Sequence, residues 1–184
     1  NTPIIKRLDM VSNNLEILKQ RSDSLLRALI VQVLAGEYGM AIEMLETNQF
    51  FVAEGGGRVH SVFVDAHLLR GLVRLTNSQF KEALEDFNRA SEYPENLSVA
   101  RPSNDRRAPQ VAYFTGLAHQ ALGANDEAAK YFRRATDQSG TSRWLDTQIY
   151  QSLALQQLGE VDQARQALEA ITATVEVRLV RTEE

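Results

Sequence analysis

The sequence predicts an all-α fold, a solenoid of about four stacked helix pairs. Three observations carry this. A helix-turn-helix signature recurs four times along the 184 residues. In every copy an alanine stands five residues past the turn (Ala41, Ala83, Ala128, Ala164). A large apolar residue follows four positions later (Leu45, Phe87, Phe132, Leu168), which puts the small and the large side chain on one face of the second helix. A small residue facing a large one on the neighbouring helix is what stacked helix pairs need to close up.

The elements follow in order. Residues 6–20 read as a leading helix with Leu8, Val11, Leu15 and Leu18 on one stripe, so that 1–22 is a leading helix and linker. Helix pairs are then expected over 23–35 with 38–48, 61–76 with 79–92, 109–122 with 125–138 and 143–157 with 160–173. The turns fall at Gly36, Ser78, Gly123 and Gly159, where a left-handed cap costs glycine least. Ser22, Asp126 and Ser142 sit where helix starts are expected, and Pro109 suits a first turn. The repeat domain spans 23–173. In the tail, 174–184, Val175 to Val180 alternates apolar and charged residues, which fits an extended end or a fraying last helix.

Composition narrows the function classes. The chain is 43% hydrophobic and 24% charged, ordinary for a globular protein. A net charge of −4 argues against nucleic acid as partner, since phosphate binding wants a basic face. With no cysteine there are no disulfides or thiolate metal sites, and the compartment stays open. No apolar run approaches the roughly 20 residues of a membrane span. The opening Asn1-Thr2-Pro3-Ile4 suggests a piece of something longer.

Two connections are long, 49–60 and 93–108. The first holds Phe50, Phe51, Glu54, the run Gly55-Gly56-Gly57 and His60; the second holds Tyr93, Pro94, Glu95, Asn96, Arg101, Pro102, Arg106 and Arg107. Both join a second helix to the next first helix, so they are expected to meet on one edge. Loops of this length in a compact domain are usually functional or disordered.

These residues resemble tetratricopeptide repeats from about Ser24 to Ile171, most specifically in the copies Gly71–Ala90 and Tyr113–Ala135. That resemblance implies a right-handed superhelix. The turns are 42, 45 and 36 residues apart, against about 34 for such a unit, and insertions account for the excess. Phe50, Glu54-Gly55-Gly56, Tyr93-Pro94-Glu95-Asn96-Leu97 and Arg101-Pro102 are similar to the helical region of an uncharacterised bacterial family. There a β-rich, mutarotase-like region precedes the repeats. That resemblance implies an excised C-terminal repeat domain; it departs at Ala53, where the family often has tryptophan.

No residue set declares chemistry. Some repeat domains of this class hold a peptide C-terminus with Lys, Asn and Arg. The inward positions here are Gln110, Phe114, Leu117, Gln120 and Ala121 in one copy and Asp65, Leu69, Leu72, Leu75 and Thr76 in another, with no cation among them. His60, His67 and His119 lack metal-ligand spacing; the last two fit core positions, and helix-start duty accounts for His60. The glycine run lacks the Lys-Ser/Thr ending and preceding strand of a nucleotide loop, and reads as a turn. Glu85-Asp86 reads as an exposed helix face without an acid–base partner. Arg101, Arg106 and Arg107 read as a solvated loop cluster, with an anion or carbohydrate site as the alternative.

The function expected is a non-catalytic scaffold for protein–protein or domain–domain interaction, without cofactor or metal. The partner is a protein or a preceding domain of the same polypeptide. The alternative is an accessory domain that binds a carbohydrate or small anion through loops 49–60 and 93–108. Phe50, Phe51, Glu54, His60, Tyr93, Glu95, Asn96 and Arg101 are the candidate loop residues in either case.

Overall fold

A computed structural model describes the backbone of residues 2–51, 57–137 and 144–182, and their side chains apart from those of 57 and 177–182. Ten α-helices make up about three quarters of it, with no strand among the described residues. Two compact units divide the chain, 1–103 and 104–184.

In the first unit the helices are α1 (Ile4–Asn13), α2 (Leu15–Leu18), α3 (Ser22–Ala35), α4 (Tyr38–Thr47), α5 (Gly57–Thr76) and α6 (Phe80–Ala90), followed by a 3-10 turn, Glu95–Leu97. The leading helix is broken, not continuous. The backbone leaves helical geometry at Asn14, whose Nδ2 donates to Met10 O at 2.8 Å. Asparagine competes for main-chain partners in this way and is a poor helix former. Leu8, Val11 and Leu18 still share a cluster with Ala28 and Val31 of α3, while Leu15 joins the main core. That core gathers Leu25, Leu29, Leu45, Phe50, Phe63 and Leu97, among others.

The second unit holds α7 (Ala108–Ala121), α8 (Asn125–Thr136), α9 (Leu145–Gln157) and α10 (Val161–Thr182). Tyr113, Ala128, Phe132 and Ala154 form its core, with Phe114, Tyr131, Tyr150 and Leu153 packed against them. Pro109 lies in the first turn of α7, as expected. The stretch 174–182 continues α10 as helix. Ser139, Gly140, Thr141 and Ser142 lie outside the described residues.

All four turns use one device. Gly36, Ser78, Gly123 and Gly159 have φ of 84°, 62°, 76° and 80°. In each, the amide after the turn residue reaches five residues back: Glu37 N to Gln32 O at 2.9 Å, Gln79 N to Arg74 O at 2.9 Å, Ala124 N to His119 O at 2.9 Å, and Glu160 N to Leu155 O at 3.0 Å. These bonds satisfy carbonyls that a helix end leaves open. The four alanines are buried as the register requires, and so are Leu45, Phe87 and Phe132. Leu168 is the departure, 42% exposed.

One boundary shifts because packing overrides the turn signal. Helix α5 starts at Gly57, four residues earlier than the glycine run suggests, since Val59 and His60 are buried within its first turns. Gly55 and Gly56 lie outside the described residues.

Candidate functional site

The two long connections meet in the first unit, and what joins them is a strap across helix ends. Helix α4 leaves its last carbonyls open, and Asn96 Nδ2 donates to two of them, Leu45 O and Asn48 O, both at 2.8 Å. The amide of Phe50 donates to Asn96 O at 2.8 Å, and Ser98 Oγ donates to Phe50 O at 2.7 Å. Ser98 adopts φ 54° to do so. Phe50 and Leu97 plug the core beneath.

The end of α6 is closed by the same strap. Arg101 Nη2 donates to Ser91 O at 2.6 Å, and His60 Nε2 donates to Glu92 O at 2.9 Å. The His60 ring stacks on Tyr93 with centroids 3.7 Å apart, and the Arg101 guanidinium lies 4.7 Å from the Tyr93 ring centre. A cation over an aromatic face is attracted by its quadrupole. Arg89 on α6 bridges Glu46 of α4, at 2.7 Å, to Glu92.

Of the expected loop residues, then, Phe50, His60, Tyr93, Asn96 and Arg101 come together. Phe51 is 76% exposed and does not pack with them, and its amide donates to Ser22 Oγ at 3.0 Å. Glu95 is exposed on the 3-10 turn. Glu54 lies outside the described residues. Arg106 and Arg107 have partners of their own in the second unit. Arg106 pairs with Asp146 at 3.0 Å and lies 4.9 Å from the Trp144 ring centre, and the Arg107 amide donates to Asp105 Oδ1 at 2.9 Å.

The largest departure from the sequence reading is Asp86. Expected on an exposed face without a partner, it is 1% exposed and sits beneath three side chains of α5. Arg70 reaches it through Nη2 at 2.7 Å and Nε at 3.0 Å, Arg74 Nη1 at 2.8 Å, and His67 Nδ1 at 3.1 Å. A carboxylate only accepts, so the His67 Nδ1 carries the proton. Its Nε2 is buried without a hydrogen-bond partner among the described residues. Burial alone raises the Asp86 pKa, but the hydrogen bonds of His67 and Arg70 and the charges of Arg70 and Arg74 outweigh it, and the carboxyl is held below its ordinary range. Residues 67, 70 and 74 are spaced i, i+3, i+7 and share one helix face, but nothing local in the sequence places Asp86 opposite them. His67 is a core residue, as expected, and His119 stacks on Tyr131 at 5.2 Å.

On the second unit, the first helices of both pairs are tied along one face. Gln110 Nε2 donates to the Tyr150 hydroxyl at 2.9 Å, and Phe114 meets the Tyr150 ring edge-on at 5.5 Å.

Residues 98–142 match the family model of the tetratricopeptide repeat. The match contains the α7–α8 pair, the copy with Tyr113, Gly116, Gly123, Ala128, Phe132 and Ala135. A solved structure, "Crystal structure of MamA", is 14% identical, covers 96% of this chain and 91% of that one, and has a TM-score of 0.48. Among the described residues no helix is long and apolar enough to cross a membrane.

Proposed function

We propose that the chain is a non-catalytic helical-repeat scaffold that holds a protein partner, or a preceding domain of its own polypeptide. The tetratricopeptide match supports a protein-binding role in general. The observation that carries it for this chain is the group formed by Trp144, Arg106 and Asp146. Trp144 is 48% exposed where α9 begins, with Arg106 stacked on it and Asp146 holding Arg106 in place. Tryptophan and arginine dominate the energetics of protein interfaces, and an ion pair that pre-positions the arginine lowers the ordering cost of binding.

In the loops, Phe51 and Glu95 are the candidates for partner contact. The polar atoms that a sugar or anion would need on Asn96 and His60 are bonded to main-chain carbonyls, which favours the protein reading.

The test is a photo-crosslinking residue at position 144 or 51 of the full-length protein in its own cells, with native mass spectrometry of the purified material. Polypeptide adducts are expected at position 144, lost when Arg106 is replaced by alanine. A retained small-molecule mass with no polypeptide adduct at either position would overturn the scaffold reading.

A further inference from the structure

The last helix repeats a packing surface that none of the described residues of the second unit covers. On α8 the small-then-large pair Ala128 and Phe132 is buried, with α9 laid against that helix pair. Thirty-six residues on, α10 carries Ala164 and Leu168 in the same register. Ala164 is buried against α9, but Leu168 is 42% exposed and Val161 63% exposed. Val161, Ala164, Leu168 and Thr172 follow i, i+3, i+7, i+11 and floor an open trough of about 480 Å³ along α10. Its walls carry Arg165, Glu169 and Glu176.

Charge selects what lies there. Arg165 is neutralised by Asp162 at 2.8 Å, whereas Glu169 and Glu176 form no ion pair among the described residues. The trough is therefore an apolar floor whose walls carry two carboxylates without an ion-pair partner among the described residues. Val161 to Glu176 spans roughly 22 Å at the rise of an α-helix, about four turns. An occupant that matches it is itself helical, with an i, i+3/i+4, i+7 apolar stripe and lysine or arginine beside the stripe.

We infer that this face of α10 docks a basic amphipathic helix of a partner protein, seated as α9 is seated on the preceding pair. The inference deepens the scaffold reading by naming the chemistry of a partner, at a place remote in sequence from Trp144.

The probe is a fluorescein-labelled 16-residue peptide with leucines at that spacing and lysines on both flanks. Its anisotropy is followed with the whole chain. Comparators are a scrambled peptide and a version with glutamate flanks. The lysine-flanked helix is expected to bind at least tenfold more tightly than either. Leu168→Glu should weaken it tenfold or more, and since Leu168 is already half-exposed, circular dichroism and the thermal midpoint should stay unchanged. The double variant Glu169→Lys, Glu176→Lys should invert the preference toward the glutamate-flanked peptide. Equal binding of the scrambled peptide, or insensitivity to the charge swap, would overturn the inference. So would self-association of the chain, by sedimentation equilibrium, that Leu168→Glu abolishes, since the face would then hold a second copy. Either failure leaves the crosslinks expected at position 144 unaffected, so the two readings fall separately.

Discussion

Phe132 rests on Gly116 with no room for another carbon. A Cβ built at Gly116 would stand 2.6 Å from Cε1 of the Phe132 ring, and Phe87 repeats the relationship on Gly71 at 2.4 Å. The glycine and the aromatic are sixteen residues apart in both copies, one on each helix of the pair. At the same register the first pair has Leu29 with Leu45 and the last has Ser152 with Leu168. Where the first-helix residue gains a side chain, the second-helix residue loses its ring.

Gly116→Ala tests this. Alanine is worth about 1 kcal/mol over glycine in a helix interior, which opposes the effect. Overpacking a buried ring costs about 1–3 kcal/mol and should win, because Phe132 is enclosed and cannot swing aside. A fall in the urea midpoint is expected. Adding Phe132→Leu should recover part of the loss, and a double variant less stable than the sum of its parts would show that the two residues are not complementary.

Ser78 is the one non-glycine residue at the four turns, with φ 62°. A left-handed conformation costs an L-residue roughly 1–2 kcal/mol, while glycine adds unfolded-state entropy that takes back part of the gain. Ser78→Gly is expected to stabilise the first unit by about 0.5–1 kcal/mol, read as a raised thermal midpoint. The mirror change, Gly123→Ala, should destabilise by about 1 kcal/mol.

Asp86 ties α5 to α6 by charge. Removing it leaves Arg70 and Arg74 facing each other without their shared counter-ion. Breaking a buried pair costs about 3–5 kcal/mol. The two arginines keep some contact with water, so Asp86→Ala should fall near or below the low end, about 2–3 kcal/mol. The pH dependence has a definite sign. The folded pKa lies below the unfolded value, so this stability is fully present above pH 4 or so. It is lost as pH falls through the folded value. Asp86→Asn should flatten the acid limb of a stability–pH profile below about pH 4. An unchanged limb would show that the carboxylate is not the group that titrates.

Much of this fold is legible in the sequence because it is local. The alanine and large-residue spacing gives the pairs, and the glycines at 36, 123 and 159 give the turns, since both depend on residues within one helix–turn–helix. What stays hidden depends on distant partners. Asp86 reads as solvated until residues 67, 70 and 74 are known to face it, and the start of α5 moves once Val59 and His60 are buried. Asn96 and Arg101 read as candidate contact residues of the loop because nothing in the sequence says that they cap the ends of α4 and α6. Leu168 matches the buried register of its three counterparts, and its exposure follows from the absence of a covering helix among the described residues of the unit.

The strap offers the last test, because its residues divide by role. Asn96 Nδ2 satisfies two carbonyls at the end of α4, so Asn96→Ala leaves both without that donor. Each lost bond is worth about 1 kcal/mol, and water can reach part of the vacated site, so a loss of about 1–2 kcal/mol is expected in denaturant unfolding. Tyr93→Ala should cost a similar amount, since it removes the ring between His60 and Arg101. Glu95 and Phe51 are exposed, and replacing either by alanine should leave stability within about 0.5 kcal/mol. If Glu95→Ala also leaves the crosslinks at position 51 unchanged, and Phe51→Ala those at position 144, the strap is a structural clasp and partner contact lies on the helix faces. If crosslinks are lost while stability holds, the exposed edge of the strap is part of the docking surface. The order of effects is the decisive quantity: stability should follow Asn96 and Tyr93, and binding should follow Phe51 and Glu95.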